Sequence, residues 1–295
     1  MKKLCFVIVG IVLLSAFYAC QKDQLGVYKP KMKISEIYSE SDGHYLQERW
    51  FWDDNNLFRI NYYKKNGDLK NSHNYIYDNH RVVRIESDDL YSEFFYDGNN
   101  LSEIKTYSGG ELLDTYVFSY EKNKLSHLSI NQQSKSAAVG DLLGLFIPGY
   151  EQLNSEIVPL EKAKGNSYNY SSAEIDFAWK ENDIQHMKTV LSYQGAVKHY
   201  VFTYVYDENV NPRYNFLSMS VGQQLVAENP LNLFFCKHNV IGVYVTDEDL
   251  PPQLNTQSLT YSYDYYKQCP TKMYRTYIDN IDYSVDSVLI YSFRY

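Results

Sequence analysis

The 295-residue chain carries no recognisable catalytic signature. It has no G-x-S-x-G elbow, no phosphate-binding loop, no H-E-x-x-H pair and no local Cys–His pattern. Those absences remove the enzymes that such motifs mark. A Ser-His-Asp set gathered from distant residues needs no motif and stays open. Basic charge is scarce as well: 28 Lys and Arg stand against 36 Asp and Glu, a net charge of −8. That argues against a nucleic-acid partner and against an anionic membrane surface. The paired acids Asp53-Asp54, Asp88-Asp89 and Glu248-Asp249 lack an oxygen-ligand spacing suited to Ca²⁺, and neighbours along a strand point to opposite faces. The histidines are scattered without ligand spacing. No metal and no cofactor is expected.

What is present begins at the N-terminus. Met1-Lys2-Lys3 is followed by an apolar run from Leu4 to Leu14 and by Ser15-Ala16-Phe17-Tyr18-Ala19-Cys20. A positive start, a short apolar stretch and a small residue form the three-part plan of a secretory signal. Leu4–Ala19 is short for a membrane span, which takes about 20 residues. Ala19-Cys20 resembles a bacterial lipoprotein signal, with Phe17 where Leu is usual. The resemblance implies removal of residues 1–19 and acylation of Cys20, whose several chains would anchor stably. Losing Lys2 and Lys3 takes the net charge from −8 to −10. Polar residues up to Lys33, with Pro30 among them, read as a tether. Gln21 is not the Asp of inner-membrane retention, which favours the outer membrane; its periplasmic and cell-surface sides stay open. Residues 34–295 read as one domain.

The domain is written in a repeat. Counting its second aromatic as position zero, the units are Trp50-Phe51-Trp52-Asp53, Tyr75-Ile76-Tyr77-Asp78, Phe94-Phe95-Tyr96-Asp97, Phe118-Ser119-Tyr120-Glu121, Phe177-Ala178-Trp179-Lys180, Tyr204-Val205-Tyr206-Asp207 and Tyr261-Ser262-Tyr263-Asp264. Aromatics two apart share one strand face. Three positions after zero stands Asn55, Asn99, Asn123, Asn182 or Asn209, with His80 in the second unit. Asn tolerates the left-handed backbone of tight turns. Apolar pairs follow at a spacing of three, such as Leu57 and Ile60 or Leu101 and Ile104, which a strand of period two accepts only with a bulge. Asn66-Gly67, Gly109-Gly110 and Gln194-Gly195 supply the turns between units. The fold expected is all-β: a large antiparallel meander of hairpins, a dozen or more strands, curled or closed into a barrel. Two stretched units, between Tyr120 and Trp179 and between Tyr206 and Tyr263, carry apolar segments at 141–147 and 229–235. These are expected to form short helices that plug one face.

The Tyr96-Asp97-Gly98-Asn99-Asn100-Leu101 core resembles the tyrosine-aspartate repeats of large bacterial toxins and adhesins. Over roughly residues 34–295 the chain more closely resembles an uncharacterised family of Bacteroidetes outer-membrane lipoproteins with a porin-like fold. The resemblance implies a curved or barrel-like sheet at the outer membrane and no agreed activity. The seventh unit departs from the pattern, with Tyr265-Tyr266-Lys267 in place of the Asn turn.

The leading reading is a non-catalytic, lipid-anchored envelope protein that binds a glycan or a protein. Trp50, Trp52 and Trp179 are the candidates for stacking on a ligand, against the alternative that such regular rings serve as core. An envelope hydrolase with its site on the inserts is one alternative. A membrane-spanning barrel is another; the chain ends on alternating Tyr291-Ser292-Phe293-Arg294-Tyr295, as such barrels do, but a lipid anchor would be redundant for it and the apolar inserts out of place in a wet lumen. Cys236 and Cys269 form either a disulfide or two separate buried thiols.

Overall fold

Aromatic alternation, bulges and two-residue turns together wind the chain into a closed sixteen-stranded antiparallel barrel, in which every strand pairs with its sequence neighbours and the first pairs with the last. The computed structural model describes residues 26–40, 43–132, 170–193, 196–217, 235–251, 256–278 and 285–295. The signal, Cys20 and nearly all of both expected insert helices lie outside them. The strands are β1 (Glu36–Ser39), β2 (Tyr45–Asp53), β3 (Asn56–Tyr63), β4 (Leu69–Asp78), β5 (Arg81–Ser87), β6 (Leu90–Asp97), β7 (Asn100–Ser108) and β8 (Glu111–Glu121). They continue as β9 (Lys124–Gln132), β10 (Tyr170–Lys180), β11 (Asp183–Tyr193), β12 (Ala196–Val210), β13 (His238–Asp247), β14 (Thr256–Tyr266), β15 (Cys269–Ile278) and β16 (Val285–Arg294).

The spacing of three has a local cause. Trp52 pairs with Leu57 and Phe51 with Arg59, so Phe58 is an extra residue between them. Val83, Ser102, Ser126 and Gln185 hold the same place in the next four units. With one residue bulged out, both apolar residues of each pair point inward. Leu57, Ile60, Val82, Ile85, Leu101, Ile104, Leu125, Leu128, Ile184 and Met187 are all at most 2% exposed. Burying each such side chain contributes about 1.5–3 kcal/mol. The turns differ from expectation by one position. Positive φ falls on Asp54, Asn79, Gly98, Lys122 and Glu181, the residue before the repeated Asn or His. Only His80 and Asn123 join them at the next position.

The zero-position rings form a latch. Tyr77 Oη donates to the Leu57 carbonyl at 2.7 Å and Tyr96 Oη to Val82 at 2.6 Å. Trp179 Nε1 donates to Leu125 at 2.6 Å, Tyr206 Oη to Ile184 at 2.6 Å and Tyr263 Oη to Val240 at 2.7 Å. Each ring thus fastens its own hairpin to the carbonyl just past the preceding turn. Trp52 Nε1 reaches Ile34 and Tyr295 Oη reaches Pro270, both at 2.8 Å, which carries the pattern across the barrel's seam; Tyr120, the ring of the fourth unit, is the exception, its buried hydroxyl making no such bond. The sequence reading counted seven units. An eighth is split between the chain ends: Phe293 and Tyr295 are its aromatics, and Ile34 and Ile37 its apolar pair. Ile37 pairs with Phe293 as Ile60 pairs with Trp50. The irregular seventh unit is a taller hairpin. There Tyr265 pairs with Pro270, and the turn falls two residues later, on Lys267 and Gln268, both at positive φ.

The stretch expected to be a tether is packed from Gly26 onward. The Gly26 carbonyl accepts the Val82 N–H at 3.0 Å. Tyr28 is 6% exposed and donates to the Pro212 carbonyl at 2.6 Å. Asn211–Leu217, Phe235 and Cys236, the described ends of the second insert, are likewise in the interior, and Phe216, Leu217 and Phe235 join the apolar core. Cys236 and Cys269 are free, buried thiols with different neighbours, so the disulfide considered above is not formed. Cys236 receives the Ile184 N–H at 3.5 Å and meets Tyr206 Oη at 3.2 Å. Burial pushes its thiol up to about 12, although both of those hydrogen bonds work the other way.

Candidate functional site

The bulges and two-residue turns raise the Asn-type loops of neighbouring hairpins side by side into one rim of the barrel. A cleft of about 630 Å³ lies there, between the β6–β7, β8–β9 and β10–β11 turns and the described ends of the second insert. Tyr120, Trp179, Tyr214 and Phe235 supply rings, and Asn99, Asn100, Asn123, Asn182 and Asn215 supply five carboxamides. Asp97, Glu181 and Lys124 complete the charged lining. Trp179 is half-buried; its indole N–H is spent on Leu125, so what it offers the cleft is a ring face. Lys124 stands 5.6 Å from that ring and donates to the Glu181 carbonyl. Amides that both donate and accept, beside an aromatic face, match the hydroxyls and C–H face of a sugar. A second hollow of about 410 Å³ lies beside it around Asp183, Asp207, Glu208 and His238, where His238 Nδ1 meets Asp183 Oδ2 at 2.7 Å.

The three candidate tryptophans are not brought together. Trp50 is 4% exposed and donates to Glu48 Oε2 at 2.7 Å; its ring packs 4.7 Å from Phe216. Trp52 lies 5.7 Å from Tyr28 and spends its N–H on Ile34. Both are architecture, and only Trp179 reaches the cleft. Sequence reasoning took the repeated Asn residues for turn formers alone, although their recurrence already placed them at one rim. It also missed Glu48 and Arg213, a buried pair at 3.0 Å that docks the insert end to the inner wall. Burial works most strongly against the Arg213 charge, but Glu48 together with Tyr62, Tyr291 and Tyr28 outweighs it and raises the guanidinium's pKa. Nothing in the local sequence marks either residue, because their contact spans 165 positions.

Toward the opposite rim the inner wall becomes polar on one side. Ser92 and Thr106 share a hydrogen bond of 2.9 Å, and Asp114 pairs with Thr106 across the strands. Burial pushes the Asp114 carboxyl up to about 6. His73 is fully buried, neither ring nitrogen has a hydrogen-bond partner, and burial with Lys70 nearby lowers its pKa to about 3.

The outer wall is charged. Glu36 meets Arg49 at 2.9 Å and Arg294 at 3.1 Å; a hydrogen bond from Tyr38 and these two cations hold its carboxyl down against partial desolvation. Arg84 bonds Glu86 and Glu93, and Lys105 bonds Glu103. His127 lies between Asp176 at 2.7 Å and Glu174 at 2.9 Å; desolvation opposes its charge, but the two carboxylates win and raise its pKa. Phe58, Ile76, Phe95, Val117 and Val205 are exposed among these groups, each at about 40%.

No protein-family model matches the chain, and neither does any curated protein. Solved structures do. A porin-like protein from Bacteroides vulgatus aligns over 89% of this chain and 98% of its own, at 11% identity and a TM-score of 0.52. A second, from Bacteroides uniformis, covers 90% and 99% at 11% identity and a TM-score of 0.48. At that identity the first establishes the likeness of fold: an all-β, closed, porin-like barrel.

Proposed function

We propose that the protein is a non-catalytic cell-envelope lipoprotein that is held to the outer membrane through Cys20, stands in water as a barrel and binds a carbohydrate in the rim cleft. The observation that carries the binding role is the convergence of the Trp179 face with five carboxamides in one cleft. The porin-like fold of a Bacteroides protein supports an envelope location. The charged outer wall speaks for water rather than lipid around the barrel. An Arg or Lys facing lipid at the bilayer midplane costs about 2–4 kcal/mol, and Arg49, Arg84, Lys105 and Arg294 all lie on that wall. The hydrolase alternative places its site on the inserts, most of which lie outside the described residues.

A glycan array probed with the chain from Gln21 onward tests the binding role. A subset of sugars should bind, and Trp179→Ala should weaken them about tenfold or more, as loss of a buried ring face does. Binding to no glycan, or equal binding by the variant, sinks it.

A further inference from the structure

The start of the described chain is fixed on the same rim as the cleft. Gly26 has φ +84°, and a Cβ there would come within 2.2 Å of Tyr96 Oη. Its carbonyl is held by Val82, the Tyr28 ring is packed against Trp52 and Phe216, and Ile34 is latched by Trp52. Tyr96 belongs to the hairpin whose turn, Asp97 to Asn100, lines the cleft. Cys20 precedes Gly26 by six positions. Six residues span at most about 20–22 Å, at roughly 3.3–3.6 Å each. The opposite rim lies farther off by the axial height of a strand: the eight residues of β3 run about 27 Å, roughly 20 Å along the axis of a barrel with tilted strands.

We infer that the Asn-turn rim faces the membrane that holds Cys20, and that the cleft takes the sugar headgroup of a glycolipid in that leaflet. The inference rests on acylation of Cys20 and on carbohydrate binding in the cleft, and adds the direction and the source of the ligand. An anchor within about 20 Å of the rim keeps the cleft close to headgroups. It also raises the local concentration of a membrane-bound sugar over a free one, as any short tether does.

The experiment uses the full acylated protein in phosphatidylcholine vesicles with and without an uncharged glycosyl-diacylglycerol. A fluorophore is placed on Asn55→Cys or on Asn66→Cys, exposed turn residues flanking the two ends of β3. Headgroup quenchers should quench the Asn55 site several-fold more than the Asn66 site. Equal or reversed quenching overturns the orientation. A photo-crosslinker on Lys122→Cys, exposed in the β8–β9 turn beside the cleft, should give a glycolipid adduct that Trp179→Ala reduces about tenfold and that the crosslinker on Asn66→Cys does not give. Competition of that adduct by the same sugar free in solution at equal concentration overturns the membrane source while leaving sugar binding standing. Absence of an acylated Cys20 peptide in mass spectrometry sinks the anchor on which the orientation depends, and leaves the array result untouched.

Discussion

The two rims of this barrel are built differently. At the Asn-turn rim, ring hydroxyls and indoles fasten every hairpin but that of Tyr120 to the one before, and the N-terminal segment and the insert ends fill the mouth. Toward the Gly-turn rim the interior holds Asn71, His73, Ser92, Thr106 and Asp114, and some of those polar atoms have no partner. The first rim is held by long-range bonds and tolerates little change. The second carries groups whose charge state burial has shifted, so it sets the response to pH.

The largest way to break the contrast is to remove Arg213, which docks the insert end from inside. Arg213→Ala should cost about 3–5 kcal/mol in urea unfolding, since it strands the Glu48 carboxylate. The double change Arg213→Met with Glu48→Leu should recover most of that. If the single variant loses under about 1 kcal/mol, the insert end is not held this way.

Next in size are the two buried titrating groups. His73 has a folded pKa of about 3. Its unfolded value is about 6.5, so the unfolded chain binds the extra proton and stability falls as pH drops from about 6.5 toward 3. His73→Leu should therefore gain about 3 kcal/mol over the parent at pH 4 relative to pH 8. Asp114 runs the other way: its folded pKa of about 6 makes it a burden at neutral pH that fades as pH falls through 6. Asp114→Asn should gain about 3 kcal/mol at pH 8 and little below pH 4. Thermal melts across this range check both signs.

A matched pair of glycines isolates the crowding at the first rim. Gly26 and Gly67 have φ of +84° and +86°, but a Cβ on Gly67 meets nothing within 4 Å. Gly67→Ala should cost about 1 kcal/mol for backbone alone. Gly26→Ala should cost about 1–3 kcal/mol more, for overpacking against Tyr96. The smallest effect is a single latch: Tyr77→Phe should lose about 1 kcal/mol, whereas Tyr91→Phe on the outer wall should stay within about 0.5 kcal/mol.

Much of this fold was legible because the repeat states it. The aromatics at minus two and zero do share the inner face, and the apolar pairs do need a bulge. The left-handed position was placed one residue late in three units, because Asn adopts that backbone readily and drew attention from Asp54, Gly98 and Glu181, which occupy it instead; Asn123 does adopt it, together with Lys122. The eighth unit was overlooked because its aromatics lie in and after the last strand of the barrel while its apolar pair lies in and before the first. The site was less legible. Trp50, Trp52 and Trp179 have the same local pattern, and which of them reaches a cleft depends on what the described residues place above it, Tyr28 and Phe216 in one place and the cleft lining in the other. His73 looks like any strand histidine until its register with Ile60 places it inside.

The split eighth unit makes this chain a cut circle. Its ends meet where any other hairpin would turn, with the Ser35 N–H 2.8 Å from the Arg294 carbonyl. Circumference is then a copy number: each unit brings two strands, one latch to give and one carbonyl to receive. A ring assembled this way can gain or lose a whole unit and still close, while half a unit would leave a donor and an acceptor facing nothing. Even strand number follows from counting, with no residue dedicated to enforcing it.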